Sequence, residues 1–101
     1  MALTLQREET GWLVRMEGQI TLASAGELKE WLCEWLASGK DLEFDLGHVD
    51  EVDVTVLQLL WAAVRDSRNA GVRVLGRGSA AAVAAACETG FAQLPGFPLQ
   101  E

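Results

Sequence analysis

The stretch DLEFDLGHVDEVDVTVLQLLWAAVRD, residues 41–66, decides the fold because its hydrophobic period changes part of the way along. Apolar and charged residues alternate over 41–46, which is the two-residue period of a half-buried β-strand. From 54 to about 69 the apolar residues follow helical spacing, so this part is predicted to form a helix. The segment 47–53 is predicted to be the loop between them. A strand that leads into a helix is half of a βαβ unit, which indicates an α/β domain.

The predicted helix has one polar residue, Thr55, close to its start. Asp53 is the natural N-cap, which places Thr55 at the second helical position, where a negative charge interacts favourably with the helix dipole. On a helical wheel Thr55 falls on the polar face with Gln58, Leu59 is out of place on that face, and Val56 lies at its border. The opposite face, expected to pack on the sheet, contains Leu57, Leu60, Trp61 and Val64.

Two alternating segments precede this stretch and a helix follows them. Residues 2–9 and 12–18 alternate around a turn at Thr10 and Gly11, which predicts an antiparallel hairpin. A capping box of Ser24 and Glu27 predicts the start of the first helix, and Gly39 predicts its end.

The C-terminal third is predicted to add a strand and a helix. Residues 72–76 form the strand, Arg77 and Gly78 a turn, and Ser79 the N-cap of the helix over 80–88. Cys87 is expected in the core because it continues the spacing of Ala80, Val83 and Ala84. Phe91 and Leu94 are expected to pack back on the core. The resulting order, β-β-α-β-α-β-α, predicts an α/β fold with a small mixed sheet.

Composition restricts the function classes. The chain has 101 residues, of which 50% are hydrophobic, which fits a single small domain over 1–101. The formal charge of −7 argues against binding to nucleic acid or to an anionic membrane surface, and favours a basic protein partner or plain solvation. The residues after Met1 lack the pattern of a secretory signal, and no apolar run is long enough to span a bilayer. We therefore expect a cytoplasmic protein.

Neither a metal site nor an active site is predicted. His48 is the only histidine, and Cys33 and Cys87 lack metal-ligand spacing. Asp50 and Glu51 form a carboxylate cluster with Asp53 that could hold a divalent ion weakly, but the preferred interpretation is that Asp50 and Glu51 are solvated and Asp53 caps the helix. The segment GRGSAA, residues 76–81, lacks the lysine and the glycine spacing of a phosphate-binding loop. The expectation is a non-enzymatic chain without a cofactor.

Three segments in this order carry a resemblance to a known family. They are VRMEGQITLASAGELKEWL, LEFDLGHVDEVDVTVLQLL and GVRVLG. Over about residues 3–91 the chain resembles the STAS domain of bacterial anti-anti-sigma factors, also called anti-sigma factor antagonists. The resemblance implies a small sheet with helices packed on one side and no catalysis. It also implies a protein partner, an anti-sigma factor and serine-threonine kinase of the histidine-kinase-like ATPase superfamily.

The resemblance also implies a switch site at the start of the second helix. The family's motif there is Val-x-x-Asp-Ser-Ser-Gly-Leu, whose second Ser or Thr the partner kinase phosphorylates. Asp53 matches the motif's Asp, and Thr55 stands at the phosphorylated position. Val54 and Val56 stand where the family has Ser and Gly. The implied partner-binding residues are Gln19, Thr21, Ser24, Asp53, Val54, Thr55, Val56, Gln58 and Leu59.

The departures from the motif leave two interpretations open. In one, Thr55 is a phosphoacceptor that controls partner binding. In the other, the branched side chain of Val56 hinders a kinase, and Thr21 lacks the carboxylate that the family has at that position. The chain is then a constitutive binding subunit, such as the STAS component of an ABC lipid transporter or of a chemotaxis signalling cluster. The sequence does not define the oligomeric state.

Overall fold

The structure is a computed structural model that describes residues 2–93 and Phe97. Its elements confirm the predicted order β-β-α-β-α-β-α and add a short 3-10 helix, Phe91–Gln93, at the end. The strands are β1 (Ala2–Arg7), β2 (Gly11–Ile20), β3 (Asp41–Val52) and β4 (Val74–Gly78), and the helices are α1 (Leu22–Ser38), α2 (Val54–Ala70) and α3 (Ala80–Thr89).

The four strands form one mixed sheet in which the strand order follows the chain order, β1-β2-β3-β4. β1 and β2 are antiparallel, as expected for strands joined by a short turn. β2 and β3 are parallel, and so are β3 and β4, because a helix connects each of these pairs. The predicted mixed sheet is therefore confirmed.

One face of the sheet forms the core. Along β2, Trp12, Val14 and Met16 are buried, while Arg15 and Glu17, which alternate with them, are exposed. The same alternation in the first half of β3 places its apolar residues on the same face, so the helices cover one face and leave the other open. The fully buried large side chains include Trp35, Phe44, Leu57 and Leu60.

The second half of β3 corrects the prediction that residues 47–53 are a loop, since 47–52 continue the strand. The register between β2 and β3 shifts between Arg15 and Glu17, and again between Gly18 and Gln19. Each shift gives β3 one residue more than β2. Such bulges break the alternation of apolar and polar residues, so the pattern that predicted the first half of β3 stops before the strand does.

Helix α1 begins earlier than the capping box predicted. Thr21 is its N-cap, and Ser24 is a buried residue of the first turn, 3% exposed, that donates its backbone N–H to the carbonyl of Thr21 over 3.0 Å. The predicted ends are confirmed, because Gly39 and Gly71 close α1 and α2 in the left-handed conformation.

The C-terminal part also differs in detail. Arg77 and Gly78, predicted as a turn, are the last residues of β4. Cys87 is exposed rather than buried, because the core-facing side of α3 is formed by Ala82 and Ala86. Phe91 packs against the core as predicted. The prediction for Leu94 lies outside the described residues.

The open face of the sheet carries a row of charges across three strands. Arg15 of β2, Asp45 of β3 and Arg77 of β4 are adjacent in register. The pKa of Asp45 is lowered, mainly because its carboxylate accepts a hydrogen bond from the backbone N–H of Gly47 over 3.0 Å, with further contributions from the two arginines. This carboxylate therefore stabilises the folded state in its ionised form.

Candidate functional site

The predicted switch site lies where the parallel strands β2 and β3 end. Gln19 is paired with Glu51, and the backbone N–H of Asp53 donates to the carbonyl of Ile20 over 2.9 Å. Two helices start at this edge, because Thr21 is the N-cap of α1 and Asp53 is the N-cap of α2. The structure thus brings together the two sequence segments that the resemblance assigned to the partner-binding surface.

Asp53 holds the start of α2 in place, as predicted. Its Oδ1 accepts a hydrogen bond from the backbone N–H of Thr55 over 2.8 Å. Its own carbonyl accepts the backbone N–H of Val56 over 3.0 Å. The side chain satisfies one of the amides that a helix leaves unpaired in its first turn, and the negative charge interacts favourably with the helix dipole.

Thr55 is at the second position of α2, as predicted, and it is half-buried. Within the described part of the chain its hydroxyl makes no hydrogen bond, whereas its N–H is occupied by Asp53. The hydroxyl is therefore free of any internal role as a donor or acceptor in this part of the fold.

Val56 corrects an expectation about the neighbourhood of Thr55. We expected its side chain at the surface, where it would hinder a kinase, but Val56 is 0% exposed and belongs to the core. The third position of α2 faces the sheet, so the branched side chain packs inward. The family's glycine position is thus occupied by a core residue, whereas Val54, the other departure from the motif, is 44% exposed.

Two further residues of the predicted surface are placed differently. Ser24 is buried in the first turn of α1, so its side chain cannot reach a partner directly. Leu59 is half-buried and packs against the core, so it is only in part the exposed apolar residue that the wheel indicated. Of the remaining predicted residues, Gln19, Thr21 and Gln58 are exposed.

The exposed apolar area at this edge comes from two residues at the first helical positions. Leu22 of α1 is 64% exposed and Val54 of α2 is 44% exposed. We call these two residues the apolar edge. Val54 was among the predicted site residues, but Leu22 was missed because the first helix was predicted to begin at Ser24. A large exposed leucine directly after the N-cap Thr21 is the signal that would have found it.

The electrostatics of the edge are acidic. Asp50 and Glu51 at the end of β3 are exposed and lie in sequence just before the cap Asp53. Within residues 2–93 and Phe97, no group of three or more His, Cys, Asp or Glu side chains is arranged to hold a metal ion. In the same range no helix is both long enough and apolar enough to cross a membrane.

Comparison with protein families identifies the domain. The sequence profile of the STAS_2 family, described as "Mlab, STAS domain", matches residues 3–94. The chain belongs to this STAS-domain family. A search of the curated proteins finds no significant match.

Solved structures share the fold at low sequence identity. The anti-sigma factor antagonist SpoIIAA in its unphosphorylated form is 10% identical, with a TM-score of 0.80 over 99% of this chain and 89% of that one. The phosphorylated form of SpoIIAA from Bacillus is 12% identical, with a TM-score of 0.76 over 99% and 92%. A serine-to-glutamate variant of RsbS from Moorella thermoacetica is 24% identical, with a TM-score of 0.73 over 99% and 86%. The fold of this chain is thus that of the anti-sigma factor antagonists.

Proposed function

We propose that this chain is a non-enzymatic regulatory domain of the anti-sigma factor antagonist type. Its partner is an anti-sigma factor and serine-threonine kinase of the histidine-kinase-like ATPase superfamily. The partner docks on the edge where α1 and α2 begin, and phosphorylation of Thr55 releases it. The family membership and the shared fold support a role of this general kind.

The observation that carries the proposal is the position of the Thr55 hydroxyl. It has no hydrogen bond within the described residues, and it lies one residue after the exposed Val54 of the apolar edge. A hydroxyl that accepts a phosphate should not be held in an internal hydrogen bond. A docking surface needs apolar area that a partner can bury. Both requirements are met at the same helix start.

Phosphorylation would act on binding rather than on the fold. A phosphate adds about −2 charge next to the Asp53 carboxylate and beside the apolar edge. A partner that buries Leu22 and Val54 would then also have to desolvate that charge, which is unfavourable without a matching cation. The helix itself tolerates the charge, because Thr55 is in the first turn.

The experiment is an affinity capture from a lysate of the source organism, followed by mass spectrometry. The baits are the wild type, Thr55→Glu and Thr55→Gln, since glutamine matches glutamate in size without its charge. We expect an ATPase of the kinase superfamily to be held by the wild type and by Thr55→Gln, lost with Thr55→Glu, and phosphate to be found on Thr55. Equal retention by all three baits, with Thr55 unmodified, would contradict the switch.

A second candidate function is a constitutive STAS subunit of an ABC lipid transporter or a chemotaxis cluster. It is favoured by Val54, which is 44% exposed next to Thr55 in sequence and stands where the family motif has the smaller serine. In this case the same edge docks on a larger protein and Thr55 is only part of the contact. The capture experiment separates the two, because a transporter or chemotaxis protein would then be retained by the wild type and by both variants.

A further inference from the structure

A cleft of about 410 Å³ lies next to the apolar edge, between the ends of β2 and β3 and the helix α3. Its floor is apolar, formed by Ile20 and Val52 at the strand ends together with Ala81, Ala84 and Ala85 of α3. Because alanine side chains are short, another chain can approach the backbone of α3 closely at this cleft. Sequence patterning does not reveal this cleft, because it forms only where the ends of two strands meet α3 in the folded domain.

The rim of the cleft is acidic. Among the described residues, its charged lining consists of Asp50, Glu51, Asp53 and Glu88, without a lysine or arginine. Asp53 is engaged as the cap of α2. The side-chain carboxylates of Asp50, Glu51 and Glu88 make no hydrogen bond or ion pair with the described residues, whereas those of Glu34, Asp41, Asp45 and Asp66 each have an arginine partner.

The apolar floor and the acidic rim together limit the kinds of ligand that the cleft can bind. Four carboxylates of one sign repel a nucleotide, a phosphate or a fatty acid, so an anionic small molecule is disfavoured. An apolar floor with an acidic rim instead complements a segment whose small apolar side chains are flanked by basic ones.

We propose that the cleft receives a lysine- or arginine-bearing segment of the partner protein. The basic side chains reach Asp50, Glu51 and Glu88, and small apolar side chains of the segment lie against Ala84 and its neighbours. This inference rests on the proposed function, because it assigns the chemistry of that partner beside the same edge. It extends the docking surface from α1 and α2 to α3.

The test uses the full chain and a defined probe. The probe is a synthetic peptide of lysines interspersed with alanine and leucine, with blocked ends, and the control peptide has glutamate in place of lysine. Amide chemical shifts in an NMR titration locate the binding, and fluorescence anisotropy of the labelled peptide gives the Kd. We expect the shifts to concentrate at residues 50–53 and 81–88, and affinity to fall as salt is raised, because exposed charge pairs are screened. The glutamate peptide should not bind.

Matched variants make the result specific. Replacing Asp50, Glu51 and Glu88 together by Asn, Gln and Gln should weaken binding about tenfold, as three exposed charge pairs would. The control triple variant, Glu27→Gln, Glu30→Gln and Glu43→Gln, removes three exposed carboxylates outside the cleft and should leave the Kd unchanged.

A single-residue pair tests the floor. Ala84→Arg fills the cleft and should abolish binding, whereas Cys87→Arg adds the same charge to an exposed position of α3 that does not line it. Far-UV circular dichroism verifies that each variant is folded. Equal weakening by both triple variants, or shifts spread over the whole acidic surface, would overturn the proposal.

The experiments distinguish a failure of the cleft proposal from a failure of the proposed function. If the peptide binds the cleft while no kinase or transporter is captured from lysate, the cleft stands and the proposed function fails. If the partner is captured equally by the wild type and by Ala84→Arg, the proposed function stands and the cleft proposal fails.

Discussion

The cap of α2 allows the sharpest test of the site's architecture. Asp53→Ala removes the carboxylate that accepts the backbone N–H of Thr55 over 2.8 Å. It leaves the backbone hydrogen bonds of residue 53 intact, including the one from its N–H to the carbonyl of Ile20. The substitution therefore isolates the contribution of one side-chain cap at the edge where α1 and α2 begin.

The expected cost follows from two contributions. Loss of an N-cap acceptor destabilises a protein by about 1 kcal/mol. Loss of a negative charge at a helix N-terminus adds about 0.5 kcal/mol, and relief of repulsion from Asp50 and Glu51 offsets a few tenths of a kcal/mol. The net loss is about 1 kcal/mol, which lowers the Tm of a domain of this size by about 5 °C. Asp53→Asn keeps the acceptor and loses only the charge, so after the same offset it should lose about 0.2 kcal/mol.

The assay is urea unfolding followed by tryptophan fluorescence, since the chain has 4 Trp. Asp50→Ala is the control for charge alone, because Asp50 is exposed and caps no helix, and it should cost nothing. The reasoning is refuted if Asp53→Ala and Asp53→Asn are equally stable, since the hydrogen bond would then contribute nothing.

Three other predictions follow from the same structure. Leu22→Asp should weaken partner capture at least tenfold at unchanged Tm, whereas Leu75→Asp, on the open sheet face and 55% exposed, should not affect capture. Val56→Ala should cost about 2 kcal/mol in urea unfolding because Val56 is fully buried, and an unchanged midpoint would contradict its place in the core. The pKa of Asp45 is lowered in the folded state, so its contribution to stability is present above pH of about 4 and is lost as the pH falls below it. The stability difference between wild type and Asp45→Asn should therefore shrink between pH 7 and about pH 3, and a constant difference would exclude this linkage.

The sequence predicted those parts of the fold that a periodic pattern or a cap defines. The first half of β3, the start of α2 and the caps Asp53 and Ser79 were all predicted, because each depends on neighbouring residues alone. The second half of β3 was not, since its two bulges displace the alternation and can be seen only against β2.

The candidate site shows the same division between local and tertiary information. The position of Thr55 in the first turn followed from the cap. The burial of Val56 could not be predicted in this way, because a residue at the border of a helical wheel is buried or exposed depending on how the helix packs against the sheet. Cys87 was misplaced because most residues of α3 are alanine, and a helix without contrast between its faces does not indicate which one is buried.

The order of the strands has a consequence for how the chain reaches its fold. Because β1-β2-β3-β4 follows the sequence, each strand pairs only with strands adjacent to it along the chain. Each pairing closes a loop no longer than one helix and its turns, so refolding should occur in roughly milliseconds, as in other mixed α/β domains. On a ribosome, β1, β2 and β3 emerge from the exit tunnel before β4 does, so they can pair first. The edge where α1 and α2 begin can therefore form before α3 is available to pack beside it.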